Sequence, residues 1–551
     1  MMIPTKYVLI TKISEYLKCA GCLLFPTWRS DDMCGIFLSV TLNSNIAMAY
    51  ANFQNLRHRG PDSSSFQSIP FPLVPEFSVA YGFHRLAIND RSYKGSQPFY
   101  FDDGSFVICN GEIYNHVFLK EMFLADASFV SGSDCEVILP LYKKLGVDFV
   151  NHLEGEFALV IFDASTSQVI AARDSVGVRP LYVSMHESMQ GITISSELKG
   201  ITQGEARHFP PGQVTSWSIT QVESRTFTNK STHLLPKSVL SIEASAEALR
   251  IVVEQSVVSR LHADVNIGCF LSGGIDSSAV AALAAKYYGQ PISTFTLRIE
   301  GLPNEDAIYA RKVASHIGSV HHEIVTDLDE VFSLIDEVIL ISETFNFEML
   351  PNLILVYLVA RYVRQNTDIK VLLDGTGPDE MLGGYWFFRD APTIADFESE
   401  TVKQLAEMHR TELLGDRVVS HFGLEMRYPY LDSRVTSLLN QVPPEQKFVQ
   451  VYGFEKRILR LAMENLLPAE VVWRKKLGMT HGAGENFENI FDKEIRRRLG
   501  TKESQESHAR ILGIEEYYKD VFYRNYPKGQ SVECNVTALP WRANDPIAIW
   551  R

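Results

Sequence analysis

Between an apolar, β-branched run at 265–271 and an alanine-rich stretch at 277–286 the chain reads Leu271-Ser272-Gly273-Gly274-Ile275-Asp276-Ser277-Ser278. The first run has the length and composition of a buried strand and the second that of a helix, so a Gly-Ser turn joins them. A helix that starts this way directs unpaired backbone N–H groups at whatever lies in front of it, and the glycines let an anion approach them closely. Asp276 adds a carboxylate where a Mg²⁺ ligand is expected beside a phosphate. The strand signal returns at 295–299 and 370–373 with helical stretches between. Such alternation predicts a parallel α/β sheet with ligands at the carboxyl ends of its strands.

Upstream the rhythm differs. From Met33 to about Pro211 short β-branched or aromatic runs alternate with Gly, Asn and Asp, as at 105–109 and 157–162. The second run passes through a turn-like segment at 163–168 into 169–172, a hairpin pattern that predicts a mostly antiparallel sheet, with a helix expected at 134–144. Residues 216–240 are rich in Ser, Thr and Lys, as interdomain connections are, and place a boundary near Lys237. At roughly 150 residues per domain, the 551 residues suggest two to four domains. The expected division is 1–33 as a leader or a mis-assigned start, 34–215 and 241–500 as the folded halves, 216–240 as linker, and 501–551 as a C-terminal tail.

Charge narrows the function. Lys plus Arg number 52 against 66 Asp plus Glu, a net charge of −14, which gives no general attraction to nucleic acid or anionic lipid. No apolar stretch reaches the ~20 residues that span a bilayer. Seven irregularly spaced cysteines do not form a disulfide framework and point to a reducing, cytoplasmic setting. Cys19 and Cys22 have CxxC spacing without a second pair and read as ordinary thiols. The adjacent His321 and His322 would face opposite sides of a strand and read as structural.

Five motifs follow one another in the first half: Met33-Cys34-Gly35-Ile36-Phe37, His58-Arg59-Gly60-Pro61-Asp62, Gly82-Phe83-His84-Arg85-Leu86, Asn110-Gly111-Glu112-Ile113-Tyr114-Asn115 and Ser131-Gly132-Ser133-Asp134-Cys135-Glu136, with Arg173-Asp174-Ser175-Val176-Gly177 beyond them. Singly, Arg85 or Asp134 is an ordinary solvated charge. Together and in this order they resemble the glutaminase domain of class II amidotransferases, N-terminal nucleophile hydrolases, over nearly all of 33–215. The resemblance implies an α+β fold of stacked antiparallel sheets flanked by helices. It implies Cys34 as nucleophile, with its own free α-amine, of pKa ~8, as base. It also implies Asn110 and Gly111 as oxyanion donors. With them, Arg85, Glu112 and Asp134 would grip the carboxylate and ammonium of glutamine. This chemistry requires a free amine on Cys34, so either translation starts at Met33, which is then removed, or residues 1–33 are cut away. The first is the expectation, because that stretch shares none of the domain's character.

The eight-residue loop resembles the pyrophosphate loop of ATP pyrophosphatases, and lacks the Gly-Lys-Ser or Gly-Lys-Thr ending of a Walker loop. Around it stand Asp306, Ala314-Ser315-His316-Ile317-Gly318, Gly375-Thr376-Gly377-Pro378-Asp379-Glu380, Gly423-Leu424-Glu425-Met426-Arg427-Tyr428-Pro429-Tyr430-Leu431-Asp432 and Trp473-Arg474-Lys475-Lys476. Over about 240–482 these are similar to the synthetase half of the asparagine synthetase family, and Trp541 with Asp545-Pro546 to its tail. The resemblance implies ATP contacts from Leu271, Ser272, Gly273, Gly274, Asp276, Ser277, Leu297, Asp374 and Gly375. Asp276 and Asp379 would hold Mg²⁺, Lys476 would neutralise phosphate charge, and Arg474 and Lys475 would be supporting charges.

Two departures bear on the acceptor. Thr376 stands where the family has a Glu important for its aspartyl intermediate, and Pro351 stands where an Arg is expected, with Arg298 or Arg427 as possible substitutes. The expected reaction is ATP-dependent amidation of aspartate with ammonia from glutamine, giving asparagine, AMP, pyrophosphate and glutamate. The alternatives are a related amidotransferase acting on another carboxylate and a non-catalytic relative that binds ATP or glutamine. Glutamine, aspartate and ATP are the expected small-molecule partners, with neither nucleic acid nor membrane, and homodimerisation is common in the family.

Overall fold

The structure, a computed structural model, describes residues 34–71, 74, 76–186, 191–218, 222–226, 241–302, 304–475, 487–499, 507–527 and 529. In chain order its first strands are β1 (Gly35–Leu42), β2 (Ser63–Pro70), β3 (Phe77–Arg85), β4 (Phe99–Tyr100), β5 (Phe106–Ile113), β6 (Gly155–Asp163), β7 (Gln168–Arg173), β8 (Tyr182–Met185), β9 (Ile192–Ser195), β10 (Glu205–His208), β11 (Gln213–Trp217) and β12 (Val222–Thr226). They form two six-stranded antiparallel sheets, ordered β10-β8-β9-β1-β3-β2 and β12-β11-β7-β6-β5-β4.

Side-chain alternation explains why these strands are apolar throughout. Ile36 and Leu38 of β1 face Ile108, Ala158 and Val160 of the other sheet in a core shared by both. Phe37, between them, points outward against Ala49, Phe53 and Leu56, contributed mostly by α1 (Ile46–Gln54). On the far side Val107, Cys109 and Leu159 meet Ile138, Leu139 and Leu141 of α2 (Ile138–Leu145). Each central strand is therefore buried on both faces, and the layers run helix, sheet, sheet, helix. The expected hairpin is β6–β7, closed at Asp163 and Gln168.

After α3 (Ile242–Arg260), whose N-terminus is capped by Ser241 Oγ on Ala244 N at 3.2 Å, the rhythm becomes strand and helix. The sequence is β13 (Asn266–Phe270), α4 (Ile275–Tyr287), β14 (Ser293–Ile299), α5 (Glu305–Ile317), β15 (Val320–Thr326), α6 (Met349–Asn366), β16 (Ile369–Leu373) and β17 (Glu425–Arg427). These strands make one parallel sheet ordered β15-β14-β13-β16-β17. The chain builds outward from β13 in one direction, then returns to its other side. The switch between β13 and β16 leaves a crevice beyond their carboxyl ends.

Two boundaries differ from expectation. The stretch expected as linker begins as sheet: β11 runs to Trp217 and pairs with β12 through Trp217 and Val222, because Trp217 packs against Phe209 with ring centroids 6.1 Å apart. Lys237 lies outside the described residues. In the segment expected as tail, helix Ser507–Asn525 buries Tyr518, Val521 and Phe522 in the main core. That core runs without a break from Leu86, Val178 and Leu198 of the first half into the parallel sheet. Among the described residues no helix is long and apolar enough to cross a membrane.

Candidate active sites

Cys34 lies immediately before β1, and the pairing of Gly35 with His84 brings it beside the end of β3. Leu86 N donates to its Sγ at 3.4 Å, and the thiol points at Leu86 O at 3.6 Å. Burial pushes the Cys34 thiol up to about 12; the Leu86 hydrogen bond and the field of Arg85 oppose the shift, while Glu425 and Glu112 add to it. The motif at 58–62 holds this end of β3 in place. A side chain on Gly60 would strike His84 C at 2.2 Å, Asp62 accepts from Ala87 N at 2.8 Å, and Arg59 Nε donates to Cys34 O at 3.1 Å.

Asn110 and Gly111 lie on β5. Asn110 Nδ2 is buried without a hydrogen-bond partner among the described residues, so this donor is uncommitted. Gly111 has φ +145°, and a Cβ there would lie 2.0 Å from Glu156 O, so only glycine fits. Glu112 is buried, accepts from Asn89 Nδ2 at 2.5 Å, and stands 3.3 Å from Arg427 Nη2. Burial and then Asp134 raise its pKa well above the usual range, against the pull of Arg427. Asp134 accepts from Ile113 N at 2.6 Å, which ties its turn to β5. Arg85 donates to Ser92 O at 2.5 Å, to the carbonyls of Asn89 and Asp90, and to Ser96 Oγ at 3.2 Å. It thus orders the 89–96 loop that also carries the Asn89 partner of Glu112.

The second site fills the crevice at the switch point. Leu271 N donates to Phe295 O at 2.8 Å, prolonging β13 into the loop, and Gly273, at φ +74°, passes so close to Tyr309 and Ala310 that a Cβ would meet them at 2.5 Å. Ser277 Oγ returns to Ser272 N at 3.1 Å. From β16, Asp374 N bonds Arg427 O at 3.0 Å, and Gly375 lies so near the loop that a Cβ would be 2.7 Å from Ser277 N. Residues a hundred positions apart in sequence thus share one cradle. Leu297 is buried at the end of β14. Arg474 adds positive charge, bonding Asp306 at 2.7 Å and reaching Ser272 O at 3.5 Å, while Lys475 is exposed. Lys476 lies outside the described residues, as do Trp541, Asp545 and Pro546.

Sequence reasoning missed Lys456. It is fully buried, and its Nζ is 2.5 Å from Asp276 Oδ2 and 2.5 Å from Asp379 Oδ1. Its φ of +54° is uncommon for a side-chain-bearing residue, yet nothing in Gly453-Phe454-Glu455-Lys456 marks this in the sequence. Two hard carboxylates converging on one cation are a donor set that suits Mg²⁺. Beside Asp379, Tyr385 Oη lies within hydrogen-bond distance of both Glu380 and Glu412 and has one proton to share between them. Burial, then the charges of Glu412 and Asp379, push Glu380 up to about 8.

The acceptor-side expectations fare differently. Pro351 is buried in the first turn of α6, where a missing N–H has no cost, and Asn346 Oδ1 caps that turn at 3.0 Å from Glu348 N. Both suggested substitutes already pair with carboxylates. Arg298 is paired with Glu323 at 2.8 Å. Arg427 is fully buried against Glu425, Glu112 and the carbonyls of Arg260 and His262. His321 and His322 divide as expected, one bonding Thr294 Oγ1 at 3.0 Å and the other stacking on Phe295.

The halves are joined by buried ion pairs. Asp416 accepts from Arg59 at 3.1 Å and Arg179 at 2.6 Å; Glu156 accepts from Arg260 at 2.8 Å and Tyr428 N at 3.0 Å; Glu343 caps the 198–200 turn through Leu198 N at 2.7 Å. Mutual pairing is what allows these charges to leave water.

The glutamine amidotransferase domain family model matches residues 33–250, and the asparagine synthase model matches 248–411 and 390–531. The chain is 32% identical over 564 residues to an asparagine synthetase (glutamine-hydrolyzing) of Cricetulus griseus, covering 94% of this chain and 98% of that protein. It is 34% identical over 541 residues to the protein so named from Bos taurus, covering 90% and 94%. Both sites and both family matches lie in one chain, and the similarity spans nearly its whole length: the chain belongs to the family of glutamine-hydrolysing asparagine synthetases.

Proposed function

We propose that this protein makes asparagine from aspartate, ATP and glutamine, releasing AMP, pyrophosphate and glutamate. The observation that carries the reading is that a single continuous core holds both the Cys34 site and the cradle closed by Asp276, Lys456 and Asp379. In the first half, the thiol of Cys34 attacks the glutamine amide carbon after giving its proton to the α-amine of the same residue, which must therefore begin the mature chain. Asn110 Nδ2, with Gly111, stabilises the oxyanion, whose collapse expels ammonia carrying the proton from the α-amine and leaves a Cys34 thioester; water then hydrolyses the thioester to glutamate and the free thiol. Arg85, Glu112 and Asp134 select the free amino acid by its two charged groups.

In the second half the glycines and serines of residues 272–277 surround the pyrophosphate while Leu271, Leu297, Asp374 and Gly375 enclose the adenosine. Asp276 and Asp379 would hold Mg²⁺, which neutralises charge on the phosphates. Lys456 keeps these two carboxylates together, and the resemblance gives Lys476 the role of neutralising phosphate charge. The aspartate carboxylate attacks the α-phosphorus, pyrophosphate leaves, and ammonia displaces AMP from the acyl carbon. Free thiols at Cys34, Cys109, Cys135 and Cys269 accord with a reducing, cytoplasmic setting.

Thr376 and Pro351 favour a second reading, amidation of a different carboxylate, because both stand where the resemblance assigns acceptor recognition. Purified protein supplied with Mg-ATP, aspartate and either ammonia or amide-labelled glutamine decides between them, with mass spectrometry following asparagine, AMP and the N-terminal mass. Asparagine from both donors, with the mass beginning at Cys34, supports the first reading. No asparagine from either donor in a folded, ATP-binding sample overturns the aspartate assignment.

A further inference from the structure

The carboxylate expected to meet the glutamine ammonium is not held by its own half alone. Glu112 Oε2 is fixed by Asn89 at 2.5 Å, while Oε1 faces Arg427 Nη2 at 3.3 Å across the junction. Arg427 is rigidly mounted. Its Nε bonds Glu425 at 2.7 Å, its Nη1 bonds the carbonyls of Arg260 and His262 at 2.8 Å each, and it is fully buried. Its backbone is anchored too, with Leu373 paired to it and Asp374 N bonded to its carbonyl at 3.0 Å. Nη2 is the one nitrogen of the group with no hydrogen-bond partner among the described residues, and it is the one turned toward Glu112.

We propose that Arg427, a residue of the synthetase half, is a positioning residue of the glutaminase: its guanidinium holds the Glu112 carboxylate in place to receive the α-ammonium of glutamine. The inference rests on the glutamine-hydrolysing reading above. The charged groups facing Glu112 make the need plain. Burial, Asp134 and Glu425 raise its pKa, and Arg427, more than Arg179, opposes the rise. A fixed cation both opposes that rise and sets the direction in which the carboxylate points. The same strand end also holds Asp374 through its carbonyl, so the glutamine site and the ATP cradle share one rigid support.

The test uses the protein once N-terminal mass spectrometry shows that Cys34 begins the chain. Wild-type glutamine hydrolysis is measured first; without it the proposed function fails, whatever Arg427 does. With it, Arg427→Met is expected to raise KM for glutamine by about tenfold or more, as removal of one partner of a buried charge pair does, while ammonia-dependent synthesis stays within about twofold. Arg427→Lys, which keeps the charge without the planar fork, is expected to recover part of the loss and decides the matter if the Met variant does not fold. In a double-mutant cycle, Glu112→Gln raises KM by itself, and adding Arg427→Met raises it no further. An unchanged glutamine KM in the Met and Lys variants, or a parallel loss of ammonia-dependent synthesis, overturns the proposal.

Discussion

Replacing Asn110 by alanine separates catalysis from stability in an unusual direction. A buried side-chain donor normally loses a partner when removed, but Asn110 Nδ2 has none among the described residues of the resting protein. An unsatisfied buried polar group costs about 1–3 kcal/mol. Its removal should therefore leave stability unchanged or improve it by up to that amount. Catalysis should respond oppositely, since removing one oxyanion donor typically costs about 2.7–4 kcal/mol of barrier, or a hundredfold to a thousandfold in rate. The assay is glutamine-dependent turnover of the protein beginning at Cys34, beside ammonia-dependent turnover and a urea melt. Loss confined to the glutamine reaction, with an equal or higher urea midpoint, is the expected result. Less than a tenfold loss, or a fall of more than about 1 kcal/mol in stability, would refute the assignment of Nδ2 as an uncommitted donor.

Lys456→Met should abolish synthesis from either nitrogen donor while sparing glutamine hydrolysis, and should lower stability by up to about 3 kcal/mol in metal-free buffer by leaving buried Asp276 and partly buried Asp379 uncompensated. Added Mg²⁺ should then raise the melting temperature more in the variant than in the wild type; an equal gain would argue against Asp276 and Asp379 as its ligands. Gly375→Ala places a Cβ 2.7 Å from Ser277 N, and is expected to weaken ATP binding by tenfold or more with unaltered glutaminase, measured by nucleotide titration. Acid should destabilise the fold through its buried histidines, since burial pushes His84 and His421 down to about 3 and His409 to about 2. Because the unfolded chain takes up these protons near pH 6.5 and the folded chain does not, stability falls from there toward pH 3, by about 2 kcal/mol per histidine at pH 5. Urea midpoints at pH 7 and 5 measure the fall, and His84→Asn, which cannot charge, should make it shallower.

The residues that carry chemistry in loops were legible because local geometry demands specific types there. Gly111 and Gly273 have positive φ and Asp276 opens a helix, constraints that lie within a few positions of the chain, whereas the crowding beside the two glycines comes from Glu156 and Tyr309, brought there by folding. The strand rhythm was legible for the same reason, since alternation and length follow from which faces are buried. The start of the linker is not legible in polar composition, which cannot show that Trp217 has Phe209 to pack against.

What the sequence by itself determined, then, is the kind of chemistry in each half and the order of the elements that bear it. Tertiary structure alone decided that Lys456 closes on Asp276 and Asp379, that Arg427 serves Glu112 across the junction, and that the anticipated replacement for the missing acceptor arginine is engaged elsewhere. Short motifs are set by backbone sterics and nearest neighbours. A buried charge instead takes its meaning from the opposite charge that folding brings to it from hundreds of residues away.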